Sequence, residues 1–285
     1  MSSFEDNYLH YGGIPLPKEV YSEGFTFLQE LNLKDDDVLL VTYPRTGTTW
    51  MQQLLPLMLN GGDVTQVLTT PNWKRAPWVE IKKLSHIVEQ MASPRSLVTH
   101  LPFNLMPRSL HTSKAKVIYV MRNPRDVLVS SYFFHQTTNV LDNPGTLDEF
   151  IDKFLSGRVM FGKWTDHVKS WRHAELGDRI MFITYEEMVQ DLPASIRQMS
   201  DFLCCNLSEE AIQKTAEHNS FKSMIDNPFN EVPKFYLNSD KASFLRKGIA
   251  GDWKNHLNSE QLARFTSVIR KELQGESFSL PWSLE

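Results

Sequence analysis

Short unbroken apolar runs alternate along this chain with longer stretches in which apolar residues return every three or four positions. The run DVLLVTYP (37–44) is followed by Trp50, Leu54 and Met58 on one helical stripe and Met51, Leu55 and Leu59 on the next. That spacing predicts a strand and then a helix. Pro56 falls inside the helix and is expected to kink it, because proline cannot supply the backbone hydrogen bond. SLVTHLP (96–102) predicts a second strand, with His100 near its end. AKVIYVMRNP (115–124) predicts a third, whose Val117, Ile118, Tyr119 and Val120 suit burial on both faces. It runs into RDVLVSSYFFHQ, which reads as a helix, and RIMFITYEE (179–187) repeats the strand-to-helix pattern a fourth time.

Two later helices are marked by their ends. TLDEFIDKFLSG places Thr146 and Glu149 at capping-box spacing and Gly157 at the exit. NSEQLARFTSVIRKELQG starts at Asn258 or Ser259, carries basic residues in its last turns and is followed by Gly275. Strands alternating with helices predict an α/β fold, a mainly parallel sheet flanked by helices. No repeat, low-complexity tract or linker divides residues 1–285, so one domain is expected. In open sheets of this kind ligands sit outside the carboxyl ends of the strands. Tyr43 to Thr49, His100, Arg122 and Tyr185 all fall at such ends.

Composition narrows the classes. The 285 residues are 41% hydrophobic and 22% charged, ordinary for a globular chain with a sizeable core. A net charge of -4 argues against a broad nucleic-acid surface but leaves room for a small anion held by a few clustered cations. The two cysteines, Cys204 and Cys205, are adjacent, so they suit neither an ordinary staple nor a zinc site. A reducing compartment is expected. MSSFEDNYLHYGG carries acids and no apolar centre, unlike a secretory signal, and no run approaches the roughly 18 apolar residues of a membrane span. A cytoplasmic protein with no membrane partner is the expectation.

The chemistry gathers at the first strand–helix turn, VTYPRTGTTW (41–50). A nucleotide-triphosphate loop needs G-x-x-x-x-G-K-[ST], with Lys directly after the last Gly. Here Thr48 follows Gly47, and the cation, Arg45, comes two residues before it. Such a turn still offers unpaired backbone N–H groups and about half a positive charge from the helix dipole. Thr46, Thr48 and Thr49 can add hydroxyl donors, and Arg45 adds a planar fork suited to phosphate. Taken alone, the same residues also suit an ordinary capped turn. At the third strand's end, Arg122 and Arg125 flank Asn123-Pro124, and Ser130 follows on the next helix. This is either a solvated turn or a second anion clamp. FLRKGIAGDWKNH (244–256) adds Arg246, Lys247 and Gly248, a loop whose backbone can approach a ligand closely. Three separate basic sites would suit a multiply charged anion.

In their order and separations, TYPRTGTTW, RNPRDVLVS and RKGIAGDWKNH resemble the cytosolic sulfotransferases, nearest to the hydroxysteroid-type and amine-type branches. SPRSLVTHLP, FGKWTDHVKSW and ITYEEMVQDL support the resemblance, which runs from about Tyr11 to Trp282. It implies a sulfonate donor, 3′-phosphoadenosine 5′-phosphosulfate (PAPS), with the bisphosphate PAP as product and no metal. The acceptor would be a hydroxyl or amine of a small hydrophobic molecule such as a steroid, alcohol or phenol. The resemblance implies that Arg45, Thr46, Gly47, Thr48, Thr49 and Trp50 form the 5′-phosphosulfate loop, with Trp50 stacked on adenine. It places Arg122, Ser130, Arg246, Lys247 and Gly248 at the 3′-phosphate, and Tyr185, Asn219 and Phe221 around the adenosine. His100 becomes the catalytic base and Arg45 a catalytic cation. A strand-end His is more often structural, but a neutral imidazole is the natural base for an acceptor hydroxyl near pH 7. His86, His111, His135 and His256 stay unassigned. Trp73, Trp78, Phe103, Phe133, Phe134, Tyr236 and Leu237 are either lining of an apolar acceptor pocket or ordinary core.

The chain departs from the family pattern in three places. Most members carry Lys and Ser where it has Arg45 and Thr46, and Arg for Lys is not a conservative exchange at a fitted site. Many phenol-type members carry Lys where it has Val98. The family's dimer motif K-x-x-x-T-V-x-x-x-E is met by KNHLNSEQLA, with Asn258, Ser259 and Ala263 in place of Thr, Val and Glu. Either a monomer or a homodimer fits. Two rival readings remain at this level: a sulfotransferase-like binder with little turnover, and a P-loop nucleotide kinase.

Overall fold

Alternation of pattern becomes alternation of elements in the computed structural model, which describes residues 7–138, 140–230 and 245–284. The chain starts with a hairpin of β1 (Tyr8–Tyr11) and β2 (Ile14–Pro17), turned at Gly12-Gly13. Then come β3 (Val38–Thr42), β4 (Ser96–Thr99), β5 (Lys116–Met121) and β6 (Ile180–Thr184), the four expected strands, each shorter than its apolar run. They pair in the order β4-β3-β5-β6, all parallel. Every residue of β3 and β4 is buried, which is why their sequences are continuous rather than alternating. At the amino-terminal edge Arg95 grips Asp37 with two nitrogens, tying the approaches to β4 and β3 together.

Helices cover the sheet. After β3 comes α1 (Thr48–Leu59), which starts two residues before the expected Trp50 and runs on through Pro56. Proline is tolerated there at the cost of one backbone bond, because the helix is fixed by packing: Met51, Leu54, Leu55 and Met58 are all buried. β5 leads directly into α2 (Pro124–Thr137), opened by Asn123, whose side chain accepts from the Arg125 N–H. The forecast capping box forms, Thr146 with Glu149 on α3 (Leu147–Ser156), and a later helix, expected to start at Asn258 or Ser259, is capped by Asn258, which forms a second box with Gln261. Further helices include α4 (Trp164–Arg172), α5 (Tyr185–Gln190), the 12-residue helix Leu192–Leu203, α6 (Glu209–His218), α7 (Phe221–Asp226) and α8 (Ser259–Glu272). Among the described residues, no helix is long and apolar enough to cross a membrane. Both cysteines are free thiols.

Because the strands are parallel and in register, their carboxyl ends fall together. Thr42 pairs with Val120, and Met121 with Thr184. The loops leaving β3, β4, β5 and β6 therefore open on one edge of the sheet.

Candidate active site

The β3–α1 turn is built for close approach. Gly47 has φ +103, and a Cβ there would lie 3.0 Å from the Tyr185 ring. Arg45 also adopts a positive φ, 74°, which costs a residue with a Cβ and is common at functional turns. Thr48 Oγ1 lies 2.7 Å from Thr42 Oγ1. Thr46 behaves differently from expectation: its hydroxyl donates to the Tyr43 carbonyl at 2.7 Å, and the side chain lies outside the cavity lining. In this arrangement its hydroxyl shapes the turn.

His100 sits one residue past β4. Its Nδ1 is 2.7 Å from the Thr42 carbonyl oxygen and 3.0 Å from Thr42 Oγ1. A carbonyl can only accept, so Nδ1 carries the proton and Nε2 the lone pair. Burial, assisted by the Arg45 charge, pushes the imidazolium down to about 4 against an opposing pull from the Thr42 bond. The ring is therefore neutral across the physiological range. Phe161, at φ 67°, meets it edge-on at 5.2 Å. Behind it, His167 Nε2 donates to the His100 carbonyl at 3.1 Å and Nδ1 lies 2.8 Å from the Tyr119 hydroxyl.

Cations arrive from three distant segments. Arg45 Nε donates to Ser130 Oγ at 3.2 Å, and its guanidinium lies 4.6 Å from the Phe134 ring centre. Arg122 spans the site: it donates to the Arg45 carbonyl at 2.9 Å and the Ile249 carbonyl at 3.1 Å, and lies 4.2 Å over the Tyr185 ring. Arg246 and Lys247 share Asp252, at 2.6 and 2.7 Å. Burial works against that carboxylate, but hydrogen bonds from Lys247, Asn255 and Arg246 outweigh it and hold Asp252 well below the usual range. Burial, then repulsion from Arg122 and Arg246, pushes Arg45 down to about 9. Like charges held this close in a half-buried place mark a site suited to an anion.

Asp126, in the first turn of α2, anchors the third segment. Its two oxygens accept from the Gly251 N–H at 2.7 Å and the Trp253 N–H at 3.0 Å. This contact, bridging 125 residues of chain, was not legible in the sequence. Gly248 has φ +66 and packs so tightly on Phe221 that a Cβ would lie 2.1 Å from the ring. On the other wall Trp50 Nε1 donates to the Asn219 carbonyl at 2.9 Å and stands edge-on to Tyr185 at 5.4 Å.

These groups surround one cavity of about 500 Å³. Its lining includes Arg45, Gly47, Thr48, Thr49, Trp50 and His100. It also includes Arg122, Ser130, Tyr185, Asn219, Phe221, Arg246, Lys247 and Gly248. Of the residues singled out for cofactor or catalysis, Thr46 alone stays outside. Of the apolar candidates, Trp78 and Phe134 line the cavity, whereas Trp73, Phe103 and Phe133 do not. Phe103 packs between His111 and Trp171, and Phe133 lies under Arg246. Tyr236 and Leu237 lie outside the described residues. Met160, Phe161, Met188 and Leu192 line the wall without having been singled out. Met188 was recoverable, since it follows Tyr185 by three positions on α5 and so shares its face. Among the described residues, no group of three or more His, Cys, Asp or Glu side chains is arranged to hold a metal.

Known proteins share this architecture. The sulfotransferase domain family matches residues 35–277. Sulfotransferase 2B1 of Mus musculus is 41% identical over 285 residues, covering 98% of this chain and 84% of its own. The 3-beta-hydroxysteroid sulfotransferase of Cavia porcellus is 35% identical, covering 97% and 98%. Among solved structures, mouse sulfotransferase SULT7A1 complexed with PAP superposes with a TM-score of 0.79 at 27% identity, over 95% of this chain and 96% of that one. With a family match across most of its length and relatives of this identity along the whole of it, the chain belongs to the sulfotransferase family.

Proposed function

We propose that the protein is a cytoplasmic, PAPS-dependent sulfotransferase, one domain over residues 1–285, that acts on a hydroxyl of a small hydrophobic acceptor of steroid type. The observation that carries this reading is the meeting of Arg45, Arg122, Arg246 and His100, from four separate segments, on one cavity. The cavity also fits the nucleotide. Arg122 Nε and Asn219 Oδ1 are buried without hydrogen-bond partners among the described residues, a donor suited to a phosphate oxygen and an acceptor suited to an adenine amino group. Gly47 and Gly248 keep Cβ atoms out of the places where backbone must approach it.

When bound, the donor supplies an activated sulfonate. A sulfonate carries a single negative charge, so the amides of the β3–α1 turn and the Arg45 guanidinium are matched to it. Arg122, Ser130, Arg246 and Lys247 are the groups for the 3′-phosphate. His100 Nε2 takes the acceptor's hydroxyl proton while Nδ1 remains bonded to the Thr42 carbonyl, which holds the ring in place. Trp78, Phe134, Met160 and Phe161 give the acceptor an apolar wall. The hydroxysteroid names of the relatives point to the same class of acceptor. Monomer and homodimer both remain compatible with this reading: at the family's dimer motif, Asn258 serves as the cap of α8.

Melting curves test the nucleotide. A ligand at 100 times its dissociation constant adds about 2.7 kcal/mol, enough to raise the midpoint by several degrees. PAP is expected to produce that rise and ATP with magnesium very little, because ATP would leave the 3′-phosphate cations without a partner. A rise with ATP and none with PAP would favour the kinase reading instead.

A further inference from the structure

Glu80 is 1% exposed, yet it carries a carboxyl group into the protein beside His100. The segment before it runs parallel to β4 as a partial extra strand. Trp78 bridges Val98, the Val98 N–H donates to the Pro77 carbonyl at 2.9 Å, and the Val79 N–H donates to the Val98 carbonyl at 2.9 Å. Continued by one step, such a ladder would hand the His100 N–H to the Val79 carbonyl. The chain instead folds back, with the Ile81 N–H on the Trp78 carbonyl at 3.4 Å, and the Glu80 side chain takes over. Glu80 Oε1 accepts from the His100 N–H at 2.8 Å.

Burial pushes the Glu80 carboxyl up to about 7, against hydrogen bonds that favour its ionised form. Its second oxygen, Oε2, is buried with no partner at full hydrogen-bond geometry among the described residues, although the Thr99 hydroxyl also favours the carboxylate. A carboxyl so placed costs stability, and a backbone carbonyl would have satisfied the same N–H. Fold alone therefore does not account for it. Every other polar group of His100 is fixed as well: the carbonyl by His167, and Nδ1 by Thr42. Among the described residues, only Nε2 is left without a partner and able to act.

We propose that Glu80 is a positioning residue for sulfonate transfer, fixing the His100 main chain through Oε1 so that Nε2 is held where the acceptor's proton must go. This rests on the sulfotransferase reading above. A misplacement of about 1 Å in a reacting group can cost about 10²-fold in rate, so a lost anchor at the base registers in turnover. The carboxyl acts here as a hydrogen-bond acceptor, and an amide oxygen can replace it.

The test compares wild type, Glu80→Ala and Glu80→Gln for turnover on a 3-hydroxysteroid, for the KM of PAPS, and for the PAP-induced rise in melting temperature. Ala is expected to lower kcat at least about tenfold, with KM and the PAP-induced rise unchanged. Gln is expected to restore kcat to within about threefold of wild type. Wild-type kcat in the Ala variant overturns the proposal, as does a Gln variant as slow as Ala. So does a loss in Ala that appears in the KM or in the PAP response rather than in kcat. Should the Ala protein not fold, Glu80→Asp, one methylene too short to reach the His100 amide, takes its place with the same expectations. Wild-type turnover in the same assay separates this inference from its premise. No transfer by wild type sinks the sulfotransferase reading, whereas transfer undiminished by Glu80→Ala sinks only the role of Glu80.

Discussion

Replacing His100 with Ala lowers turnover by about 10²–10⁴-fold while the response to PAP stays near wild type. The size follows from the ring's task. The acceptor hydroxyl must shed its proton as the sulfur–oxygen bond forms, and Nε2 is the one polar atom of His100 that no neighbour engages among the described residues. Nucleotide binding should survive, because the cations reach the cavity from other segments and His100 neither anchors them nor carries charge. The pH profile adds a second readout. A base acts in its deprotonated form, so with the imidazolium held down to about 4, activity persists as pH falls and the acid limb of kcat/KM lies below about pH 5. An Ala variant with wild-type turnover would remove His100 from the role of base. A limb near 6.5 would instead mean that the free enzyme's ring is exposed to water.

Arg45→Met is expected to cost about 10²–10³ in kcat, the usual loss when one donor to a developing negative charge is removed. Met preserves much of the side chain's apolar contact with Phe134, so the loss would report on charge. Arg45→Lys is expected to retain turnover or raise it. In the structure the guanidinium is engaged by Ser130 Oγ at 3.2 Å and by the Phe134 ring. A Lys ammonium has no Nε to spend on Ser130 and is a compact charge that can turn toward the transferred group. Steady-state rates on one acceptor decide the matter. Equal rates for Arg, Lys and Met would mean that the loop cation takes no part in transfer.

Much of this architecture was written in local pattern. β3, β4 and β5 lie in a sheet covered on both faces, so their residues are almost uniformly apolar and stand out from their surroundings. Helix caps are equally local: the Thr146–Glu149 box forms as spaced, and the last helix starts after Asn258, one of the two expected caps. Strand ends locate a ligand edge in any parallel sheet, which is why His100, Arg122 and Tyr185 could be grouped without coordinates. Other features depend on contacts between distant parts of the chain. The order β4-β3-β5-β6 is a matter of packing. The hairpin at residues 8–17 escaped notice despite Gly12-Gly13, because Pro15 and Pro17 in so short a segment argue against a strand. The Thr46 bond to the Tyr43 carbonyl was not legible either, because spacing says that a hydroxyl is in the turn, not which way it points. Glu80 and Asp126 were missed for a related reason. Each satisfies a backbone N–H far away in sequence, and an acid in an apolar stretch gives no sign of where its partner will be.

The most direct measurement follows sulfur-labelled PAPS in a single turnover with a 3-hydroxysteroid, with a chelator present. The account predicts labelled steroid sulfate, formed one for one with PAP. Protein that binds PAP yet yields no labelled product, from this steroid or from phenol and amine acceptors, would contradict it and leave a nucleotide-binding protein in its place.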